Sequence, residues 1–518
     1  MFKNENSAVM NKAQKKYKEL PKQRPEMSSI PKKNQTRRPK SKSLTSESAT
    51  FSQTRETALT VSRPVSPIKP LISSIEDQAL GFFAANNLMQ PSIALRGNYQ
   101  WLFQMLSGPE VDPSVKSSTY AVSLATLATA TKSEAVMEKA HEHYALALAS
   151  TNKALGDSKK LYEDDTIVSV ILLGVYENVM FEKHSLHAWM QHLKGASTLL
   201  HLRGAQQFKT ALGRQIFVQY YRTVVNAGIE IGIPIPENIV PLYQVLINLK
   251  DYTTHGVEHQ VQVLTKAISV MQNTAGNPVT VVSDVLKLVH ELDSMHFFLQ
   301  TLWRYEVVYM DKPAEHVFGT FYHIYLNSWV VSMWNILRTC RVRLFKILRI
   351  QVNKGLRHYP PLFSVEDAEA HIKTCEEVIR TQILAICAST PQLTGQVAFP
   401  HQVKEGLKGG VDSVDLHHKK FTIHPQDTFL EPFKATGLDH LIGPLYEVGR
   451  SDYGPELTEF VVHQLLFIAR KIGTRQAILL AEELKEKLKQ ESAYKVWNDP
   501  CPSAAQLAAL ATEGVPEA

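Results

Sequence analysis

Asp165–Met180, DTIVSVILLGVYENVM, and Leu186–Gly204, LHAWMQHLKGASTLLHLRG, joined by Phe181–Ser185, FEKHS, decide the fold. In the first run Ile167, Val170, Ile171, Gly174 and Val175 recur at helical spacing, with Asp164 or Asp165 placed to cap the start. Ser185 is placed to cap the second run, in which Trp189, His192, Ala196, Leu199 and Arg203 fall at steps of three and four. Such residues share one stripe of a helix. Gly195 removes a side chain where another backbone can pass. Gly204 supplies a stop, with the Arg203 cation well placed in the last turn. The pattern predicts two helices packed tightly as a hairpin.

The same residues carry a resemblance. Tyr176-Glu177, then Trp189-x-x-His192-x-x-Gly195-Ala196-x-x-Leu199-Leu200-x-x-Arg203-Gly204, resembles the signature of the fungal-specific transcription factor domain. That domain is the large helical region following the binuclear zinc cluster in many fungal regulators. Three later stretches look similar too. Ile383-Leu384-Ala385 through Ser389-Thr390-Pro391-Gln392-Leu393 resembles the family's helix end and Ser-x-Pro loop. Gly443-Pro444-Leu445-Tyr446 resembles its Trp-Pro-Leu-Tyr, with Gly443 in place of Trp and one packing anchor lost. Ile472-Gly473-x-x-Gln476-Ala477 completes a resemblance running roughly from residue 75 to 495. The opening MFKNENSAVMNKAQKKY resembles the segment that often follows the zinc cluster.

The resemblance implies a nuclear, non-enzymatic regulator with an all-α, multi-helix regulatory domain. Such a protein works through a protein partner or a small effector. Pairing with a zinc-cluster-bearing relative is one route, a homo- or heterodimer is the expected assembly, and control of secondary metabolism is a common role.

Composition agrees with a large core: 518 residues, 44% hydrophobic and 20% charged. The charge is uneven. Residues 1–70 hold 16 Lys/Arg and 5 Asp/Glu, a net +11, whereas the other 448 carry 40 and 45, a net −5. A basic arm on a mildly acidic body suits weak, non-specific contact with nucleic acid, or nuclear import. Lys32, Lys33, Arg37, Arg38, Lys40 and Lys42 form the candidate import tract. Residues 1–75 are rich in Lys, Ser, Pro and Thr and are expected to be disordered. Residues 76–495 are expected to form the helical domain, and 496–518 a tail. No apolar run approaches the ~18 residues of a membrane span, and no signal peptide opens the chain. The expectation is a soluble intracellular protein with no membrane partner.

Along the helical region, Ser74 precedes IEDQALGFFAANN, and SEAVMEKAHEHYALALASTNKAL carries Met137, Ala140, Tyr144 and Leu148 at helical intervals. Residues 205–230 read as a continuing helix, then GIPIPENIVP interrupts. VVSDVLKLVHELDSMHFFLQTLWRYEVVYM reads as one amphipathic helix and FGTFYHIYLNSWVVSMWNILRTCRVRLFKILRIQVNK as a long aromatic one. Strand signals are scarce. The stripe Phe321, Tyr325, Trp329 and Trp334 suits core packing first and a ligand pocket second. Ser364-x-x-Asp367 approximates a capping box.

Chemistry is harder to find. A binuclear zinc cluster needs six closely spaced cysteines, because each metal takes four soft ligands in a tetrahedron. Cys340, Cys375, Cys387 and Cys501 are scattered and include no C-x-x-C, so neither a metal nor a cofactor is expected. G-x-S-x-G, G-x-x-x-x-G-K-[ST] and H-E-x-x-H are all missing, and no catalytic residue stands out. Glu163-Asp164-Asp165 invites comparison with magnesium-dependent terpene cyclases, but Thr166, Ile167 and Val168 follow it and a helix start explains it better. His141 and His143, two apart, point to different faces of a helix and make poor joint ligands. His417-His418-Lys419-Lys420 sits in a loop without catalytic geometry. The competing expectation is an all-α enzyme or small-ligand carrier with its pocket among the aromatic helices.

Overall fold

The computed structural model describes residues 73–87, 99–180, 185–249, 257–402, 421–430 and 437–498. Residues 1–72 of the basic arm with the candidate import tract, His417–Lys420, and residues 499–518 of the expected tail lie outside them, while 496–498 belong to the last helix. The described chain is predominantly helical, as the periodicity predicts.

Helix α1 (Ile75–Asn87) opens under Ser74, whose hydroxyl accepts from Asp77 N at 3.1 Å. After the short α2 (Gln100–Leu106), α3 (Pro113–Thr131) and α4 (Glu134–Gly156) begin at capping side chains, Asp112 and Ser133. The buried face of α3 is built from small residues such as Ser118, Ala121, Ala125 and Ala128, so that its neighbours approach closely. Several of its hydroxyls bond back to carbonyls about one turn earlier, for example Thr119 Oγ1 to Val115 O at 2.7 Å and Thr126 Oγ1 to Val122 O at 2.8 Å. That satisfies polar atoms that burial would otherwise strand.

The expected hairpin is α5 (Asp164–Met180) and α6 (Ser185–Arg203). Asp164 and Asp165 stand inside the first turn of α5 rather than before it. Asp164 instead receives Arg203 Nη1 at 2.6 Å, pinning the end of α6 to the start of α5. The tightest approach is at Gly174, not at Gly195. A Cβ on Gly174 would lie 3.0 Å from His192 Cβ, whereas one on Gly195 would make only ordinary contact with Val170, at 3.8 Å. Gly204 has φ +62°, the left-handed stop expected there.

Residues 205–230 are not one continuation. A 3-10 turn, Gly204–Lys209, ends at Thr210, whose hydroxyl caps a fresh helix α7 (Ala211–Ile231). The cap competes with helix propagation and wins, because Thr210 is extended at ψ 149°. α8 (Val240–Ile247), α9 (Val257–Gln272) and α10 (Pro278–Leu302) follow.

Two expected helices are cut short by an antiparallel hairpin, β1 (Tyr305–Tyr309) with β2 (Phe321–Tyr325), in register Tyr305 to Tyr325 and Tyr309 to Phe321. YEVVY and FYHIY are β-branched and aromatic runs, which favour a pleated, half-buried surface. Gln392 clamps the inner strand: its Oε1 accepts Tyr325 N at 2.7 Å and its Nε2 donates to Tyr325 O at 3.2 Å. A small satellite core of Val308, Tyr322, Ile324, Val397 and Phe421 seals this hairpin.

Asn327 caps α11 (Ser328–Leu356), and Ser364 caps α12 (Val365–Ala388) with Asp367 N donating at 3.0 Å. The short α13 (Thr390–Leu393), α14 (Asp439–Gly449), α15 (Pro455–Ile472) and α16 (Arg475–Asn498) complete the chain. At Gly473, φ +65°, a Cβ would fall 2.4 Å from Ala130 N, so the turn into α16 admits no side chain there. One continuous apolar core runs from Ala79 to Leu484 through all the long helices.

Candidate functional site

Most of the signature side chains are structural. Tyr176, Trp189, His192, Ala196, Leu199 and Leu200 are all buried in the hairpin and its packing against α3, α4 and α7. Tyr176 stacks on Tyr144 at 4.2 Å, and the Tyr144 hydroxyl donates to Glu177, which fixes the dipeptide Tyr176-Glu177 from α4. Burial, then the neighbouring Glu177 carboxylate, pushes the Tyr144 phenol up. His192, pressed against Gly174, is driven by burial down to about 4 and is neutral at physiological pH.

Trp189 does more than pack. It helps wall a cavity of about 310 Å³ enclosed chiefly by α5, α7, α9, α11 and α14. That volume lies at the lower end for small-molecule pockets. Gln219, Arg222, Thr223, Asn226 and Glu230 all line it, and they fall along one stripe of α7 at steps of three and four. The opposite side of α7, with Phe217, Tyr221 and Ile229, enters the core. The polar stripe therefore faces a partly open cavity, with its residues half-buried.

Two of the polar residues are held unusually. Gln260, on α9, is 2% exposed, and neither Nε2 nor Oε1 has a hydrogen-bond partner. A buried amide left so costs roughly 1–3 kcal/mol per group. Glu230 lies over Gly443: a Cβ there would come within 2.6 Å of Glu230 Cγ and 2.7 Å of Cδ. The missing side chain at Gly443 thus leaves the space this carboxyl occupies. Burial raises Glu230 to about 7, and Asp439 adds to the rise while His440 and Arg343 oppose it.

The aromatic stripe expected along one helix is not a stripe. Phe321 and Tyr325 lie on β2, and of the four only Trp329 lines the cavity. Trp334 is buried elsewhere, its Nε1 donating to Trp303 O at 2.9 Å. It helps enclose Arg338, which is 3% exposed. The guanidinium lies 5.2, 5.7 and 5.6 Å from the rings of Tyr305, Tyr325 and Trp334 and donates to Tyr325 Oη at 2.7 Å. Among the described residues no carboxylate pairs with it, and the rings and dipoles carry the charge. His323 beside it is held well below its ordinary range by burial, then by Arg338 itself.

The acidic triplet makes no metal site. Asp164 is taken by Arg203, and burial with neighbouring carboxylates raises Asp165. Among the described residues no group of three or more His, Cys, Asp or Glu is disposed to hold a metal ion. His141 packs toward Tyr176 and His143 toward Tyr120, in separate directions as their spacing requires. Cys340 and Cys375 are buried and pushed up to about 12, which leaves them protonated and inert. No described helix is long and apolar enough to cross a membrane.

Sequence reasoning missed the polar stripe on α7 and Gln260. The stripe was readable: Arg222, Asn226 and Glu230 recur every four residues between runs of apolar ones. Gln260 carries no such signal, because its burial depends on α7 and α11 arriving from elsewhere in the chain.

Comparison with known proteins agrees with the signature. Residues 92–223 match the family model of the fungal specific transcription factor domain, which takes in the α5–α6 hairpin and most of α7. The chain is also 30% identical over 92 residues to an uncharacterized protein of Emericella nidulans, a match covering 17% of this chain and 19% of that one. The chain thus matches about a fifth of that relative's length. No solved structure matches.

Proposed function

We propose that this chain, whose residues 92–223 match the fungal specific transcription factor domain, is a nuclear, non-enzymatic regulator of transcription. The observation that carries the reading is that match, with its signature buried as the scaffold of the helical body. With four cysteines the chain cannot furnish the six thiolates of a binuclear zinc cluster. Base recognition then falls to a zinc-cluster-bearing partner in a heterodimeric assembly. The α7 cavity gives the body a place to take a small effector. Control of a secondary-metabolite pathway fits the same family.

One observation favours the alternative, an all-α enzyme or small-ligand carrier. Glu230, raised toward neutrality beside Asp439 and His440, has the look of a proton-transfer group. No activated nucleophile accompanies it among the cavity residues, and binding accounts for the same groups with fewer parts.

The experiment is a titration of the purified chain against several unrelated duplexes at low and physiological salt. With only the +11 arm of residues 1–70 to meet phosphates, binding is expected on the order of 10⁻⁴–10⁻⁶ M, steeply salt-dependent and nearly equal across sequences. Deleting residues 1–70 abolishes it, since the remaining body is net −5. Tight binding to one duplex that survives salt and the deletion would move recognition into the helical body.

A further inference from the structure

The α7 cavity combines three features. Its apolar walls include the flat side chains of Tyr99, Trp189 and Trp329. Gln260 presents a buried amide with donor and acceptor both unused. Glu230 projects over Gly443 from the polar stripe of α7. A hydrocarbon ligand would leave the Gln260 amide stranded at its full desolvation cost. A carboxylate ligand would match only the amide's donor and would face Glu230 and Asp439 across the cavity, leaving the amide's acceptor unused even where Arg222 and His440 offset the charge. What satisfies Gln260 in one step is an adjacent donor and acceptor on the ligand, paired edge to edge with the side-chain amide. At about 310 Å³ there is room for one or two rings behind that edge.

We propose that the cavity between α7, α9, α11 and α14 binds an uncharged, planar aromatic molecule bearing a carboxamide or lactam edge, read by Gln260, with Glu230 addressing a second polar group. The proposal deepens the effector arm of the regulator reading. Gln260 fixes which edge is accepted, the aromatic walls hold the body, and the space left by residue 443 is what admits the Glu230 carboxyl. Glu230 and Gln260 both lie beyond residue 223, outside the matched segment, so they separate this chain's ligand from any shared feature of that segment.

The test uses the full chain and three probes of one shape: indole-3-carboxamide, 3-acetylindole and indole-3-carboxylate. The same trio on pyridine and quinoline rings varies the body. Calorimetric titration is expected to show the carboxamide binding about tenfold or more tightly than the acetyl compound, which swaps NH₂ for CH₃, and the carboxylate weakest. Gln260→Met keeps the volume and removes both polar atoms, so the carboxamide-to-acetyl ratio should collapse to about one. The variant should fold at least as stably, since it removes an unsatisfied buried amide, and a melt run beside the titration shows this. The proposal is overturned if no ring gives a carboxamide preference, or if the preference survives in folded Gln260→Met. Because the titration reads no transcription, its failure would leave the regulator reading standing, and a silent reporter would leave the titration standing.

Discussion

Replacing Trp189 by Ala should lower the global stability of the domain by roughly 3–5 kcal/mol. Trp189 is 9% exposed, and its Cδ1 stands 3.6 Å from where a Cβ on Gly174 would be, wedged where α5 and α6 meet. On its other side it walls the α7 cavity, so truncation merges a new void with an existing one. Neighbouring helices cannot collapse into it easily, because Gly174 and His192 already sit at contact distance. Trp189→Phe, which keeps a ring, should lose less. Denaturant unfolding measures both, and an unchanged midpoint for the Ala variant would show that the hairpin is not the scaffold described above.

Glu230→Gln should raise stability by about 2–3 kcal/mol at pH 8 and leave it nearly unchanged at pH 5. The folded-state Glu230 titrates near 7 against an ordinary 4.5, so between those values the native state holds more protons than the unfolded chain. Its ionisation therefore removes stability as pH rises through that window, and Gln has no charge to bury. His192 works in the opposite sense. Held down to about 4, it leaves the unfolded chain with more protons between 4 and 6.5, so stability falls as the solution is acidified through that range. His296, also held near 4 by burial, adds to the acid loss. The two effects oppose each other around pH 5–6 in the native sequence. In Glu230→Gln the acid limb should stand alone, with stability falling steadily below about pH 6.5. Thermal melts from pH 4.5 to 8.5 check the sign. A variant no more stable than the native chain at pH 8 would mean Glu230 carries its charge in comfort. A group that costs stability when ionised is commonly kept for what it binds.

The helical class and the central hairpin were legible because both rest on local periodicity. Ile167, Val170, Ile171 and Gly174 on α5, and Trp189, His192, Ala196 and Leu199 on α6, recur at steps of three and four, and the structure buries them. Caps were legible for the same reason at Ser74 and Ser364, where one side chain decides the start. What was not legible depended on distant partners. The close approach fell to Gly174 rather than Gly195 because it depends on how two helix axes cross, which neither helix encodes alone. YEVVY and FYHIY were absorbed into flanking helices, since five residues are too few to set a period against long amphipathic runs on either side. Their strand state rests on each other and on Gln392, 67 residues beyond Tyr325. The cavity was half legible. The α7 stripe from Gln219 to Glu230 could be seen, but that it faces inward depends on α9, α11 and α14. Gly443 reads in sequence as a lost anchor. In the fold it is the space in which Glu230 sits.

The central claim is that this helical body acts on transcription when brought to a promoter, whatever supplies the DNA contact. The direct measurement fuses the full chain to a heterologous DNA-binding module that has no activity of its own, and places that module's sites before a reporter in a fungal host. Reporter output is expected several-fold above or below that of the module alone, with the change lost in Trp189→Ala. Output equal to the module alone, with the fusion shown to be nuclear, folded and bound at its sites, would contradict it.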